Sequence, residues 1–353
     1  MTSAARQISA SELGDFVARL FGAAGVPAES ATAVAVGLVD ADLAGLHSHG
    51  VMLVDMYIER LCQGSVSRNE AAAVVSDRQG AAVLDAGHAL GQITGRQAMA
   101  TAIAKAREFA AGVVAVRHGF HFGTAGRYAV QAADENCIGI AMCNTRPLMP
   151  APGGAERVVG NNPIAIALPT DDEIPLVLDM ATSEAAMGKI RMAEKAKEPI
   201  PPTWAVTADG QPTTKPAEAI AGMLLPSGGA KGFGLSLMID LMCGLVSGGA
   251  SGAQVRPLYG DLAVPYDCSH LFIAIDVAHF GDVTEFRGRA AAAARQVRAG
   301  QRAPGVAQLF TPGEPEWRRR QQADGVVHLD PGVVAMLNSF AAKLGITANP
   351  LLQ

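Results

Sequence analysis

Apolar positions recur at helical spacing through the first 75 residues of the chain. Spacings of three and four residues predict a first helix that ends at 25–27 and buries Leu13, Phe16, Val17, Leu20 and Phe21. Ser9 and Glu12 have the spacing of a capping box ahead of this helix. Two more helices are predicted over 27–45 and 51–64, with a polar turn between them.

From about residue 76 to residue 282, short β-branched runs alternate with helical stretches. The runs predict strands at 81–85, 112–116, 138–143, 163–168, 176–179 and 271–276. Helices are predicted over 92–111 and 125–135, and a buried helix over 232–248. Proline- and glycine-rich stretches predict loops at 147–154 and 195–216, the second long enough for a lid.

The last segment, 283–353, is predicted to be helical again, with helices over 284–299 and 331–344 and a turn at 311–314. We therefore expect an α+β (mixed α/β) fold. A central domain over 76–282 would carry a mixed sheet, and the segments 1–75 and 283–353 would pack together as a helical lobe.

Composition narrows the class of protein. The 353 residues include 28 Lys+Arg and 33 Asp+Glu, a net charge of −5, and only 5% aromatics, which argues against a nucleic-acid-binding surface. The first twenty residues do not have the pattern of a secretory leader, and the apolar stretch 233–249 contains Asp240 and glycines, so we expect no membrane span. Five cysteines without a C-x-x-C pair favour a reducing, cytoplasmic setting.

Several common site motifs are missing from the sequence. It contains no G-x-G-x-x-G after a strand, no P-loop, no H-E-x-x-H and no G-x-S-x-G, which disfavours a standard Rossmann dehydrogenase. Two histidine pairs stand out instead, His47 with His49 and His118 with His121, both in glycine-flanked loops. Imidazoles so placed could exchange protons near neutral pH, ligate a metal ion, or simply be solvated loop residues.

Motifs along nearly the whole chain resemble the malate/L-lactate dehydrogenase family of the non-Rossmann type, which includes ureidoglycolate dehydrogenase. The first motif is the run 41–50, which contains His-Ser-His-Gly and is followed by Tyr57, Leu61 and Gly64. The later motifs occur in the family's order at 121–126, 153–154, 160–163, 178–183, 188–189, 228–232 and 312–314. Ureidoglycolate dehydrogenases share the His-Ser-His-Gly form and the Thr-Trp-Ala-Val segment found here at 203–206.

The resemblance implies a non-Rossmann dinucleotide-binding lobe, a homodimer, and hydride transfer between a nicotinamide and C2 of a small 2-hydroxy or 2-oxo acid of the malate, lactate or ureidoglycolate type. Either His49 or His121 would be the general acid/base, with His49 favoured. Ser48 would orient His49 or the substrate, or else cap the next helix.

The remaining site residues follow from the same motifs. Substrate contacts are expected from Tyr57, Thr145 and Arg146. Cofactor contacts are expected from His121, Asn144, Thr145, Asn162, Asp179, Met180, Ala181, Ala230, Lys231 and Glu314, with no metal in the site. Lys231 lies among glycines at a predicted helix start, where backbone N–H groups and the helix dipole suit a pyrophosphate. For Asp179 and Glu314 the alternatives are an ordinary strand end and a helix cap.

Two departures from the family pattern bear on the substrate. Many relatives carry an arginine where this chain has Leu53, and Arg146 stands where a small polar residue is usual. We hypothesise that Arg146 takes over the carboxylate clamp, the alternative being a surface arginine. Asn161 replaces the usual threonine of Gly-Thr-Asn-Pro, which we expect to matter little.

The cofactor is expected to be NAD or NADP, with NAD favoured by the likeness to ureidoglycolate dehydrogenase. Lys189 and Arg191 are the cations that could instead hold a 2′-phosphate. Two alternative functions stay open, an NADPH-dependent reductase of cyclic imino acids and a metal-dependent hydrolase that uses the histidine pairs.

Overall fold

A mixed sheet lies at the centre of the computed structural model, which describes residues 6–346. Seven strands form it, in the spatial order β2-β3-β4-β10-β5-β6-β7. In chain order they are β2 (Ala73–Arg78), β3 (Ala81–Asp85), β4 (Ala111–Gly119), β5 (Cys137–Cys143), β6 (Ile164–Leu168), β7 (Leu176–Met180) and β10 (Cys268–Asp276). Strands β3 and β4 run parallel, and the other neighbouring pairs run antiparallel. The expected mixed α/β fold is confirmed.

All six strands predicted from the sequence are present, with ends within three residues of those expected. The structure adds β2 at the edge of the sheet, where most side chains are exposed and the alternation that would identify a strand is absent. It also adds two short antiparallel pairs. They are β1 (Arg6–Ser9) with β11 (Val326–Leu329), and β8 (Ala205–Val206) with β9 (Met223–Leu224).

Helices cover both faces of the sheet. They are α1 (Ala10–Ala23), α2 (Ala28–Leu43), α3 (Val54–Gln63), α4 (Gly91–Phe109), α5 (Gly126–Asp134), α6 (Met187–Ala196), α7 (Pro216–Ala221), α8 (Ala230–Ser247), α9 (Val283–Arg298), α10 (Glu314–Ala323) and α11 (Pro331–Lys343). Helix α4 packs on β4 and β10, and α5 packs on β5 and β6. Helix α8 also packs on β10, where Ile239 and Cys243 meet Ala115, Met142 and Leu271.

The two ends of the chain meet beside the sheet. Strand β1 pairs with β11, α3 contacts α11, and α2 contacts α10. Helix α9 contacts the central sheet instead. Its Arg287 and Arg298 form ion pairs with Asp171 and Asp172 in the turn between β6 and β7. The C-terminal segment therefore contacts both the N-terminal helices and the central sheet.

Two local expectations are wrong. The capping box at Ser9 does not form, because the Ser9 hydroxyl bonds to Ser11 Oγ at 2.8 Å and makes no hydrogen bond to the helix backbone. The stretch 195–216 is not purely a loop, since it contains β8. It also buries Ile200 and Ala205 in a small separate hydrophobic cluster.

Helix α8 is less buried than its sequence predicts. Its packed face holds Ser236, Asp240 and Ser247, whereas an apolar stripe at spacings of three and four residues is exposed. The stripe consists of Leu235, Met238, Met242, Leu245 and Val246. With 18 residues and a mean hydropathy of 1.4, α8 is the one helix within 6–346 that is long and apolar enough to span a membrane by length and composition alone, and 39% of it is buried inside the protein.

Candidate active site

The polar turn between α2 and α3 is held by Asp42. Residues 47–49 form a short 3-10 turn, and the Asp42 carboxylate accepts a hydrogen bond from the Val51 N–H at 2.8 Å and bonds to His47 Nδ1 at 2.9 Å. A side chain at Gly50 would bring its Cβ within 2.3 Å of this carboxylate, so only glycine fits. The bond to Asp42 raises the pKa of His47.

His49 is turned away from Asp42 and towards His121. Its ring stacks on that of His121 with centroids 5.6 Å apart and an interplanar angle of 26°. Ser48 Oγ lies 3.0 Å from His49 Nδ1 and makes no cap hydrogen bond to the following helices, which favours the orienting role over capping. Desolvation lowers the pKa of His49, so this imidazole is neutral at physiological pH.

Tyr57 and Gln92 lie behind His121. Gln92 Nε2 donates to Tyr57 Oη at 3.1 Å, and Tyr57 Oη lies 2.6 Å from His121 Nδ1. Burial raises the pKa of Tyr57, so its phenol keeps its proton and donates it to Nδ1. This leaves the hydrogen of the His121 imidazole on Nε2, while burial, followed by the effects of His49 and His270, lowers the pKa of His121 to about 3.

This arrangement gives Tyr57 a contact that was not expected from the sequence. Its side chain is fully buried and positions His121, and its contact with a substrate stays a prediction. Gln92 was missed at the sequence level, because a glutamine in the first turn of a helix carries no recognisable signal.

The histidine pairs do not assemble into one metal site. His47 is bound to Asp42, and His118 bonds to Asp85 at 3.0 Å, with its ring beside that of His88. Of the four paired histidines, only His49 and His121 lie against each other in the part of the chain that the structure describes. The arrangement thus fits proton transfer better than metal ligation.

Asn144 follows β5, and its side chain is committed to the backbone. Its amide donates to Ala250 O at 2.8 Å and accepts from the Ser269 N–H at 2.7 Å, and the residue is fully buried. Its contact with a cofactor stays a prediction. Asn144 joins the end of β5 to β10.

Asn162 also bonds to the backbone, on the other side of Thr145. Its amide oxygen accepts from the Thr145 N–H at 2.8 Å and its nitrogen donates to Ser236 O at 2.9 Å, both within the core. The Thr145 hydroxyl donates to Asn161 and Asn162 at 3.1 and 3.2 Å. These contacts hold the chain around Thr145 in place, and contacts of Thr145 and Asn162 with a ligand stay predictions.

Arg146 directly follows Thr145 and is half-buried. Among the residues described, no carboxylate forms an ion pair with it. Burial, and after it Arg157 and Arg191, lowers its pKa, while the Tyr266 phenol acts in the opposite direction. Leu53, where relatives carry arginine, is buried in the main hydrophobic core. A half-buried guanidinium without an anionic partner is suited to a carboxylate ligand.

The end of β7 meets the start of α5. Asp179 Oδ2 accepts a hydrogen bond from the Gly126 N–H at 2.8 Å. Desolvation, with a smaller effect of Glu316, raises the pKa of Asp179 to about 6, although the residue keeps contact with solvent. Met180 and Ala181 follow it in a half-exposed position and lead to Thr182, whose buried hydroxyl has no hydrogen-bond partner among residues 6–346.

A glycine turn places the start of α8 beside this strand end. The Ser227 N–H donates to Thr182 O at 2.9 Å, and Gly228 and Gly229 have φ values of +61° and +65°, which favour glycine. Ala230 then begins α8, and Lys231 is exposed. A cavity of about 170 Å³ lies against this turn, lined by Pro150, Ala151, Pro152, Gly153, Gly154, Val206, Gly210, Leu225, Pro226 and Gly229.

These features fit a dinucleotide. The first turn of α8 has unpaired N–H groups, the adjoining glycines carry no side chain, and Lys231 adds a positive charge, all of which favour a pyrophosphate. The partnerless hydroxyl of Thr182 offers one further polar contact close by.

Glu314 does not join this group. It is fully buried, and its carboxylate is engaged by the Arg318 guanidinium at 2.7 Å and by the Thr311 N–H and hydroxyl at 3.1 and 3.0 Å. These partners lower its pKa against the effect of burial. Glu314 is therefore a buried ion-pair residue at the start of α10. This placement resembles the helix cap that was the alternative to a cofactor contact.

Comparisons with known proteins agree with this geometry. Residues 8–338 match a family model described as malate/L-lactate dehydrogenase. The chain is 38% identical to a malate dehydrogenase of Pyrococcus abyssi over 96% of this chain and 95% of that protein. It is 36% identical to a ureidoglycolate dehydrogenase (NAD(+)) of Escherichia coli K12, covering 87% and 88% of the two chains. A (2R)-3-sulfolactate dehydrogenase (NADP(+)) of Chromohalobacter salexigens is 36% identical, covering 78% and 83%.

Solved structures give the same result. The sulfolactate dehydrogenase of Methanocaldococcus jannaschii superposes with a TM-score of 0.91 at 35% identity, covering 96% of this chain and 98% of that one. The delta1-piperideine-2-carboxylate reductase of Pseudomonas syringae superposes with a TM-score of 0.84 at 26% identity, covering 95% and 100%. With a family match that extends over nearly its whole length, this chain belongs to the malate/L-lactate dehydrogenase family and is a dehydrogenase of that type.

Proposed function

We propose that the protein transfers a hydride between C2 of a small 2-hydroxy acid and the nicotinamide of NAD, with His49 as the general acid/base. The observation that carries the proposal is the stacked pair of His49 and His121, because the two imidazoles differ in their hydrogen bonds. The names of the relatives support substrates of the malate, sulfolactate or ureidoglycolate type.

His49 is the better proton carrier of the two. Its pKa is lowered by desolvation alone, and Ser48 holds the ring by Nδ1. During oxidation the neutral imidazole takes the hydroxyl proton while the C2–H bond breaks and its electron pair leaves with the hydrogen as hydride. Reduction runs the same steps backwards, with protonated His49 supplying the proton to the developing alkoxide.

His121 has a different part. The hydrogen bond from Tyr57 fixes its tautomer, and its low pKa keeps the ring neutral, so it can donate its Nε2 hydrogen without giving it up. We infer that this hydrogen bond polarises the C2 oxygen of the substrate in both directions of the reaction.

The cofactor supplies the hydride acceptor when bound, and residues of three segments would hold it. We propose that Lys231 and the backbone at Ala230 bind the pyrophosphate, and that Asp179, Met180 and Ala181 contact the nicotinamide half. A Cβ on Gly188, at the start of α6, would lie 3.7 Å from the Ser48 side chain, so α6 begins beside the histidine turn. The NAD(+)-dependent ureidoglycolate dehydrogenase among the relatives supports NAD as the cofactor.

A panel of ligands tests the function directly. Absorbance of reduced nicotinamide should appear with NAD and at least one 2-hydroxy acid, and NAD should raise the melting temperature more than NADP does. Turnover of a cyclic imine with strict dependence on NADPH would instead favour imino-acid reduction, the function named for the Pseudomonas syringae neighbour.

We also propose a cytoplasmic location and a homodimer. The five cysteines are free in the described residues, as expected in a reducing compartment, and cell fractionation would test the location. The exposed stripe of α8 supports self-association, because its apolar side chains would be covered by a second copy of the same helix.

Replacement of His49 by alanine should lower kcat by about 10²- to 10⁴-fold, because the proton acceptor is lost. The melting-temperature shift with NAD should be kept. His328→Ala, at an exposed position on β11, is the matched control and should have wild-type kcat. Unchanged turnover in His49→Ala would rule out its acid/base role.

The pH dependence follows from the lowered pKa of His49. Its neutral, proton-accepting form persists below the ordinary value of 6.5. The kcat/KM for oxidation should therefore stay level as the pH falls through 6.5 and decline only at lower pH, while reduction speeds up in the range of the decline. A decline in oxidation centred at or above pH 6.5 would contradict the desolvated environment of His49.

Substitution of Arg146 tests the carboxylate clamp. Arg146→Met should raise KM for the best 2-oxo acid by roughly 10- to 100-fold, the effect of losing a charge-assisted hydrogen bond. Arg146→Lys should recover part of the lost affinity, because lysine restores the positive charge but not the two parallel N–H donors of the guanidinium. Arg78→Met, on the exposed edge strand, serves as control. If KM and kcat of Arg146→Met equal those of the wild type, the clamp lies elsewhere.

A charge in the α8 stripe tests the dimer. The wild type should sediment as a dimer, and Leu245→Glu should shift it towards the monomer, because an unpaired carboxylate would be buried between the copies. Val297→Glu, which adds the same charge to the exposed side of α9, should remain dimeric. A monomeric wild type, or a dimer unaffected by Leu245→Glu, would show that the stripe is not the interface.

A further inference from the structure

Two thiols and an imidazole lie together in the core behind the active-site wall. Cys143 on β5 and His270 on β10 are direct partners across the strand pair, and Cys268 precedes His270 by two residues. Cys268 Sγ is 3.2 Å from His270 Nε2, and one possible ligand atom from each of the three residues lies within 4.8 Å of the others. None of the three side chains is more than 4% exposed. In residues 6–346 this is the group of histidine, cysteine and carboxylate donors that comes close enough to hold a metal ion.

We propose that Cys143, Cys268 and His270 bind a thiophilic divalent cation, for which Zn²⁺ is the representative ion. Zinc takes thiolate sulfur at about 2.3 Å and imidazole nitrogen at about 2.0 Å, which places such donors about 3.5 to 4 Å apart. The present separations require side-chain shifts of about an ångström or less to reach this geometry.

The surroundings of His270 favour a ligand over ordinary core packing. Its Nδ1 is buried and has no hydrogen-bond partner among the described residues, an arrangement that costs stability in the core. Gly119 on the neighbouring strand lies tightly against the ring, since a Cβ there would lie 2.9 Å from His270 Cε1 and 3.2 Å from Nε2. The ring is thus held beside the thiol of Cys268 while one of its nitrogens is left unsatisfied, an arrangement suited to binding an ion.

The position of the cluster gives the ion a structural effect on the active site. The His270 ring stacks on Phe122 with centroids 4.6 Å apart and an interplanar angle of 17°, and Phe122 directly follows His121. Cys143 precedes Asn144 and the segment that carries Arg146. An ion held by these three residues would therefore stabilise the segment next to His121 and the segment that carries Arg146. It would not touch the substrate.

Cobalt provides a spectroscopic test, because thiolate-bound Co²⁺ gives a charge-transfer band in the near ultraviolet. Full-length protein, stripped with a chelator and kept reduced, is titrated with Co²⁺. The band should grow until one equivalent is bound and disappear when Zn²⁺ is added. Cys143→Ser and Cys268→Ser should each lose most of the band intensity, whereas Cys62→Ser, at the exposed cysteine, should keep it.

Three outcomes would overturn the proposal: no band in the wild type, a band that persists in either core variant, or loss of the band in Cys62→Ser. X-ray absorption of the Zn²⁺-loaded wild type keeps the test independent of how the variants fold. It should show two sulfur neighbours, and a zinc shell without sulfur would refute the site. Near-ultraviolet circular dichroism establishes whether each serine variant retains native packing.

Discussion

The hydrogen bond from Tyr57 to His121 links the two parts of the chain that form the active site. Tyr57 belongs to the N-terminal helices, and His121 follows a central strand of the sheet. Because Gln92 occupies the acceptor side of the phenol, the proton of Tyr57 has one direction left, and His121 is fixed in a single tautomer. The tautomer of His121 and its orientation against His49 depend on this bond, and so do the roles we propose for the two imidazoles.

The rest of the pocket is built by groups that do not themselves face a ligand. Asp42 shapes the His-Ser-His turn through a contact that only a glycine at position 50 allows. Asn144 and Asn162 fasten the chain on either side of Thr145 to β10 and α8. Buried amides satisfied in this way restrain the loop between them, which suits the carboxylate-binding role that we propose for Arg146. If an ion occupies the thiol and imidazole cluster behind this wall, it adds to the same restraint.

Sequence reasoning predicted the elements better than the contacts. The helices with a clear apolar face and the β-branched strands were found close to their observed ends, because their periodicity reflects burial in the main core. Strand β2 was missed because an exposed edge strand has no apolar face. The two histidines of the site were found, since glycine-flanked histidines are recognisable. The internal partners of Tyr57 and Glu314 were not predicted, because tertiary packing decides which polar side chains meet inside the protein, and Gln92 carried no signal at all.

The central claim is that a hydride passes from C2 of a 2-hydroxy acid to the nicotinamide while His49 takes the proton. The most direct measurement is label transfer, in which malate or another accepted 2-hydroxy acid carries deuterium at C2 and the cofactor is recovered for mass spectrometry. The account predicts that the deuterium appears in the reduced nicotinamide. Deuterium released to solvent, or product formed without reduction of the cofactor, would contradict it.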